Sequence, residues 1–230
     1  MYRIICLVVG YAFGLIQSAY IYGRLHGVDI RTVGSGNAGS TNTLRAFGTK
    51  AGLTVLFFDA LKTVAAIWVI RLTLGVKYPE LVSVFMFYTA LGVILGHNFP
   101  FYLGFKGGKG MAATLGLLIA LSPWYYLVFT FSLFVILFLT LHYVSLGCMV
   151  AYIFFVIETF IYGNLGLLGK TLSKGQLAEI YILAVLMCLL AIFQHRKNVV
   201  RLLKGEESKT FLSKKGKEKY KAQKEALQAE

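Results

Sequence analysis

Apolar and polar positions in this chain come in long blocks, without the short spacing of an amphipathic helix or strand. Apolar runs cover Ile4 to Tyr22, Leu53 to Leu74, Leu81 to Leu95, Met111 to Leu121, Trp124 to Leu141, Leu146 to Tyr162 and Leu177 to Phe193. A helix of about 20 apolar residues crosses a bilayer. The blocks therefore predict an all-α polytopic membrane protein with about seven transmembrane helices, the fourth short for a bilayer. Ser122-Pro123 predicts a boundary after the fourth run, because the residue before proline is pushed out of the helical region. The first run reads as a membrane helix and not as a signal peptide, since it is long for one and no small-x-small cleavage site follows it.

Composition agrees with that class. The 230 residues are 57% hydrophobic and only 14% charged, which is more apolar surface than a soluble domain buries. The net charge is +13, carried between and after the apolar blocks. In a soluble chain such a balance would suit nucleic acid. Here cytoplasmic loops and an anionic lipid surface account for it, and no nucleic-acid partner is expected. The loop holding Arg45, the loop holding Lys106 and Lys109, and the basic tail belong in the cytoplasm, and the turn at Pro79 outside. An odd number of crossings follows, with the amino terminus outside and the carboxyl terminus cytoplasmic. The loop with Lys170 and Lys174 then falls outside, a mild violation outweighed by the far more basic tail. Residues 1–210 read as the transmembrane domain and 211–230 as a charged cytoplasmic tail, a Lys-rich solvated or surface-lying helix. Cys6, Cys148 and Cys188 lie inside apolar runs and read as small buried hydrophobes. No cluster has ligand spacing, so neither a metal site nor a cofactor is expected.

Polar residues collect in a few constellations on the side assigned to the cytoplasm. Gly34-Ser35-Gly36-Asn37-Ala38-Gly39-Ser40-Thr41-Asn42-Thr43-Leu44-Arg45 combines a flexible backbone, side-chain donors and a planar cation, which suits a phosphate. A solvated loop rich in turn formers is the lesser alternative that composition alone leaves open. Phe105-Lys106-Gly107-Gly108-Lys109-Gly110 puts two ammonium groups ahead of an apolar helix; snorkelling lysines at a membrane boundary are the plain alternative. The joint His142-Tyr143-Val144-Ser145 meets the same face. His195-Arg196-Lys197-Asn198-Val199-Val200-Arg201-Leu202 is read as one helix continuing out of the membrane, with His195, Asn198 and Leu202 on a shared face. Asp59 and Lys62 lie inside the second run and cannot face lipid unpaired. They are expected to pair with each other or a neighbour, and Glu158 needs a partner too. His97 and His142 sit at boundaries with open roles.

Together these residues resemble a known family. Gly34-Ser35-Gly36-Asn37, Gly39, Thr41-Asn42 and Arg45, then Gly96-His97 and Phe105-Lys106-Gly107-Gly108-Lys109, then His195-Arg196, Asn198, Arg201-Leu202, Gly205, Glu207 and Lys209 are similar to the three motifs of the bacterial acyl-phosphate:glycerol-3-phosphate acyltransferases, PlsY. The resemblance implies transfer of a fatty acyl group from acyl phosphate to glycerol 3-phosphate in phospholipid biosynthesis, giving lysophosphatidic acid and phosphate. It implies a bacterial inner-membrane protein whose active site faces the cytoplasm, with membrane lipid around it and the acyl-phosphate-producing enzyme as a candidate partner. Ser35, Gly36, Asn37, Gly39, Thr41 and Asn42 would form the phosphate-holding loop. Arg45, Lys106, Gly107, Gly108, Lys109, Ser145, Arg196 and Arg201 would bind substrate. His195 and Asn198 would act at the reacting centre, and Glu207 would support the site.

Two positions depart from the family pattern. The hydroxyl at Thr114 is displaced by one residue, about 100° around a helix, which argues against a role in the site. His142 stands where an arginine is common, so one permanent cation is lost or made pH-dependent. The residues themselves suit the chemistry. An acyl phosphate is an activated anhydride, so direct attack by the glycerol 3-phosphate hydroxyl needs positioning and charge stabilisation more than an activated nucleophile. The base could be His195 or a substrate phosphate oxygen. A transporter or binding protein for a phosphorylated solute is the rival reading, but it would want polar groups at both ends of the bundle.

Overall fold

The computed structural model describes residues 1–121, 125–212 and 218. The boundary at Ser122-Pro123 and most of the expected tail helix beyond residue 212 lie outside the described residues. Ten α-helices are described: α1 (Tyr2–Gly14), α2 (Ser18–Leu25), α3 (Ser40–Phe47), α4 (Thr49–Ile70), α5 (Val82–Asn98), α6 (Met111–Ala120), α7 (Tyr125–Leu141), α8 (Val144–Asn164), α9 (Lys174–Gln194) and α10 (Arg196–Leu203). Five helical stretches are long and apolar enough to cross a membrane: Tyr2–Leu25, which contains α1 and α2, then Thr49–Gly75, Pro79–Leu103, Val144–Asn164 and Lys174–Gln194. Two shorter apolar helices, Met111–Ala120 and Leu127–Leu141, occupy the fourth and fifth expected runs.

The outer surface of the bundle is apolar. Ile4, Val8, Phe57, Phe58, Leu72, Ile182, Leu189 and Phe193 are all exposed, as a lipid-facing surface requires. Lipid tails are as apolar as these side chains, so burial alone gives little drive for helices to associate. Close packing and interhelical polar bonds must supply it. Helix α5 is central. Its Phe87, Ala90, Val93 and Ile94 share one core with Ile67 of α4, Leu117 of α6, Phe155 of α8 and Met187 of α9.

The closest approach is between α1 and α5, and glycine permits it. Gly10 and Gly14 on α1 face Gly92 and Gly96 on α5. A Cβ on any of the four would lie 2.1–2.3 Å from a carbonyl oxygen of the other helix. Both pairs have the Gly-x-x-x-Gly spacing that lines small residues along one helix face. At the end of the bundle away from the glycine-rich loops, Tyr78 donates to the Tyr2 hydroxyl at 2.7 Å. There Arg3 also binds Glu179 through two contacts of 2.5 and 2.7 Å.

Two sequence expectations need correction. The first apolar run is not one helix; it breaks at Leu15–Gln17. Gln17 is fully buried, and its Nε2 donates to the carbonyls of Gly14, Gly96 and His97. The polar side chain thereby satisfies backbone groups that the break and the end of α5 leave open. Likewise α9 does not run on past the membrane. It stops at Gln194, His195 forms a junction at φ −94° and ψ 4°, and α10 starts anew.

Candidate active site

Distant segments meet at one end of the bundle around a polar cavity of about 80 Å³. Its walls come from Ser35, Asn37 and Gly39 of the first glycine-rich loop, from Thr41 and Arg45 of α3, and from Lys109 and Met111 at the start of α6. Val144 and Ser145 of α8, His195, and Asn198 and Arg201 of α10 complete it, together with Glu207. Helices α3, α6 and α8 all begin at this cavity, and none has a side-chain cap on its first N–H groups. Uncapped N–H groups and three helix N-termini make the space attractive to an anion, and Arg45, Lys109 and Arg201 add full charges.

The first loop owes its shape to Asn42, which is buried. Its Oδ1 accepts from Ser35 N at 2.9 Å, and its Nδ2 donates to the carbonyls of Ile30 and Val33, both at 2.9 Å. Upstream, Arg31 holds the Asp29 carboxyl down at about 2 by hydrogen bonding to it. Asn42 thus spends its amide on holding the loop, which leaves Ser35 and Asn37 at the cavity edge to meet a ligand.

Glu207 ties the far wall together. One oxygen accepts from Ser145 Oγ at 2.8 Å and Asn198 Nδ2 at 2.6 Å, and the other from Arg201 Nε at 2.7 Å. Burial alone would raise its pKa, but the hydrogen bonds from Arg201, Asn198 and Ser145 outweigh it and hold the carboxyl below its ordinary value. The chain continues, since Lys109 Nζ donates to Asn198 Oδ1 in a short contact. Asn198 therefore bridges an acid and a base. Burial pushes the Lys109 ammonium down to about 8, with Arg201 and Arg45 adding to the effect.

His195 is buried at the α9–α10 junction, and its Nδ1 lies 2.8 Å from the Ala191 carbonyl. A carbonyl only accepts, so Nδ1 carries the hydrogen and Nε2 keeps its lone pair. Burial, followed by the nearby Lys109, pushes the ring down to about 4, leaving it neutral near pH 7 and able to accept a proton or hydrogen bond. Arg45 is held from the other side: its guanidinium donates to Thr210 Oγ1 at 2.7 Å and to the Ser208 carbonyl at 3.0 Å.

Most of the residues singled out from the sequence come together here. Gly36, Lys106, Gly107, Gly108 and Arg196 do not line the cavity. Lys106 is exposed on the neighbouring loop, and exposed Arg196 turns back to the Phe193 carbonyl and ring. Thr114 is buried and bonds Tyr152 OH, away from the lining. His142 is a turn residue at φ +61°, whose carbonyl accepts from Thr210 N. Asp59 and Lys62 do pair, at 2.8 Å, and the buried Glu158 accepts from Thr130. Sequence reasoning missed that Asp59 and His97 border the cavity, and that Ser208 and Thr210 grip Arg45. Asp59 and His97 are polar residues in or beside apolar runs, which was a usable signal; the grip spans 165 positions and had none.

Beside the polar cavity lies an apolar chamber of about 360 Å³, lined by Leu53, Leu56, Leu115, Phe131, Phe134 and Phe138 among others. Thr41, Met111, Ala112, Val144 and Cys148 border both spaces. Fold and site together define a multi-pass membrane protein with a cation-lined cavity beside an apolar chamber. Residues 4–205 match the family described as glycerol-3-phosphate acyltransferase. Relatives named glycerol-3-phosphate acyltransferase include one from Thermoanaerobacter sp. (strain X514), 35% identical over 91% of this chain and 96% of its own. Another, from Thermotoga petrophila, is 41% identical over 90% and 96%. A crystal structure of PlsY, titled an integral membrane glycerol 3-phosphate acyltransferase in its glycerol 3-phosphate form, superposes with a TM-score of 0.76. It is 33% identical and covers 92% of this chain and 96% of that one. A lysophosphatidic acid form gives 0.74 at 32% identity, covering 92% and 97%. The chain belongs to the glycerol-3-phosphate acyltransferase family, PlsY.

Proposed function

We propose that the protein transfers a fatty acyl group from acyl phosphate to glycerol 3-phosphate. The glycerol hydroxyl oxygen attacks the acyl carbonyl carbon, the bond from that carbon to the phosphate oxygen breaks, and lysophosphatidic acid and inorganic phosphate leave. The hydroxyl proton passes to His195 Nε2 or to a phosphate oxygen. One observation carries this reading: the cation-lined cavity and the apolar chamber lie side by side and share wall residues, so a phosphate and a hydrocarbon chain can be held end to end. Ser35, Gly36, Asn37, Gly39 and Thr41 seat phosphate through N–H and hydroxyl groups, and Asn42 shapes that seat. Arg45, Lys109 and Arg201 neutralise its charge, and Lys106, Arg196 and the Gly107–Gly108 backbone complete the substrate path from the rim. Asn198 and Ser145, set by Glu207, fix the reacting groups. Such preorganised charges act strongly where water is excluded.

In this proposal the two shorter helices complete seven crossings, with the amino terminus outside and the carboxyl terminus cytoplasmic. The site then faces the cytoplasm of a bacterial inner membrane, where an acyl-phosphate-producing enzyme delivers the donor. Residues 1–210 form the catalytic domain and 211–230 a cytoplasmic tail. A solute carrier fits less well, because the polar lining gathers at one end while Arg3–Glu179 and Tyr2–Tyr78 tie the other. Purified protein offered glycerol 3-phosphate with acyl phosphate, acyl-CoA or acyl carrier protein should yield lysophosphatidic acid from acyl phosphate alone. Turnover with acyl-CoA and none with acyl phosphate would refute the assignment.

A further inference from the structure

Three buried polar side chains, two of them in the cavity wall, have no part in the reaction as written. Lys62 is 4% exposed, Asp59 1% and His97 3%. Lys62 Nζ lies 2.6 Å from the Ile16 carbonyl, 2.8 Å from Asp59 Oδ1 and 2.9 Å from His97 Nδ1. An ammonium has three donors and no lone pair, and here each donor has an acceptor. The Ile16 carbonyl is free to accept because the first span breaks there, and Ser18, beyond the break, donates to Asp59 at 2.9 Å. Because Lys62 donates, His97 Nδ1 accepts, and the imidazole hydrogen sits on Nε2.

That edge of the ring meets the second glycine-rich loop. A Cβ on Gly108 would lie 2.1 Å from His97 Nε2 and 3.0 Å from the Ala38 carbonyl of the first loop. The main chain grips the same place: Gly108 N donates to the His97 carbonyl at 3.0 Å and Gly107 N to the Asn98 carbonyl at 3.2 Å. Ring and backbone of one residue thus set the height of Gly107–Gly108, and Lys109 follows directly. A buried ion pair is a poor source of stability compared with apolar packing, so stability alone gives no reason for a charge cluster here.

We propose that Lys62 and His97 are positioning residues for the phosphate site: Lys62, anchored by Asp59 and Ile16, fixes the His97 ring, and His97 holds the Gly107–Gly108 backbone that carries Lys109 to Asn198. The proposal rests on the acyl-transfer reading of the cavity. It is tested with His97→Asn, which keeps an acceptor where Nδ1 stood, His97→Phe, which keeps a ring without one, and Gly108→Ala. For each variant, kcat and KM for glycerol 3-phosphate are measured with acyl phosphate as donor. Binding of inorganic phosphate is followed by calorimetry and folding by thermal melting in detergent.

His97→Asn should stay within about fivefold of the unsubstituted protein in kcat/KM, and His97→Phe, assayed well below a melting point lowered by several degrees through the unmatched Lys62 donor, should raise KM by about tenfold or more with kcat little changed. Gly108→Ala, which drives a methyl into the same contact from the loop side while every Lys62 acceptor is still present, should also raise KM. If His97 only fills space, His97→Phe will keep the KM of the unsubstituted protein, and that result overturns the proposal. Should His97→Phe not fold, an unchanged KM in Gly108→Ala overturns it instead. Absence of turnover in the unsubstituted protein would count against the acyl-transfer reading alone. Phosphate affinity would then decide the positioning role, an unchanged affinity in Gly108→Ala overturning it.

Discussion

Removing the Glu207 carboxylate should do more damage than removing its charge. The side chain is 4% exposed and accepts from Ser145, Asn198 and Arg201 at 2.6–2.8 Å. In Glu207→Ala the three donors lose their acceptor together. Arg201, with a side chain 38% exposed, recovers part of its loss from water, whereas Ser145 and Asn198 are buried and recover little. A buried donor left unmatched costs about 1–3 kcal/mol. Two such donors plus a partly solvated guanidinium bring the total to about 3–5 kcal/mol. Glu207→Gln keeps an acceptor for Ser145 and Asn198 and loses mainly the ionic contact to Arg201, for about 1–2 kcal/mol. Thermal melting of the purified protein in one detergent measures the difference. At about 2–4 °C per kcal/mol for a chain of this size, Glu207→Ala should melt on the order of 10 °C lower and Glu207→Gln only a few degrees. Lysophosphatidic acid production should follow the same order, because Asn198 and, through it, Lys109 lose their anchor only in the alanine variant. Equal melting temperatures for the two variants would show that Glu207 acts by charge alone and would refute the hydrogen-bond account.

Asn42→Ala should cost about 2–3 kcal/mol by breaking three hydrogen bonds at a buried clasp, and it should raise KM for glycerol 3-phosphate; a normal KM would mean the first loop keeps its shape unaided. Because burial holds Lys109 at about 8, its cation is present below that pH and lost above it. Calorimetric affinity for inorganic phosphate should therefore weaken as pH rises past about 8, and Lys109→Met should bind weakly with no such step. Gly96→Ala places a methyl 2.3 Å from the Tyr11 carbonyl. It should force α1 and α5 apart, at a cost of about 1–3 kcal/mol by overpacking, seen as a lower melting temperature; unchanged melting would mean the crossing is loose.

The sequence by itself determined that this is a helical membrane protein, and it marked many, though not all, of the polar residues that the structure gathers at one end. Crossing a bilayer is a local property, since a segment must be apolar over its own length and satisfy its own backbone. The blocks from Leu53 to Leu74 and from Leu177 to Phe193 could be read directly for that reason. Glycine-rich loops with cations stand out by composition between apolar blocks, so Asn37, Arg45 and Lys109, which line one cavity, could be singled out too. The breaks at Gln17 and His195 were not, because a helix stops there in response to partners elsewhere: the Gly96 and His97 carbonyls for one, the cavity wall for the other. The paired Gly-x-x-x-Gly spacings at Gly10 and Gly92 were visible in the sequence, but only the crossing shows that they face each other. Only the tertiary structure decided which polar groups are already committed. Asn42 looks like a ligand donor until its amide is found holding Ile30 and Val33. Glu207, Asn198 and Lys109 become one hydrogen-bonded chain only when α10 brings Asn198 to the loop ahead of α6. His97 belongs to the site because a glycine eleven residues later leaves room for its ring. Contacts of that kind depend on distances between segments that the order of residues does not contain.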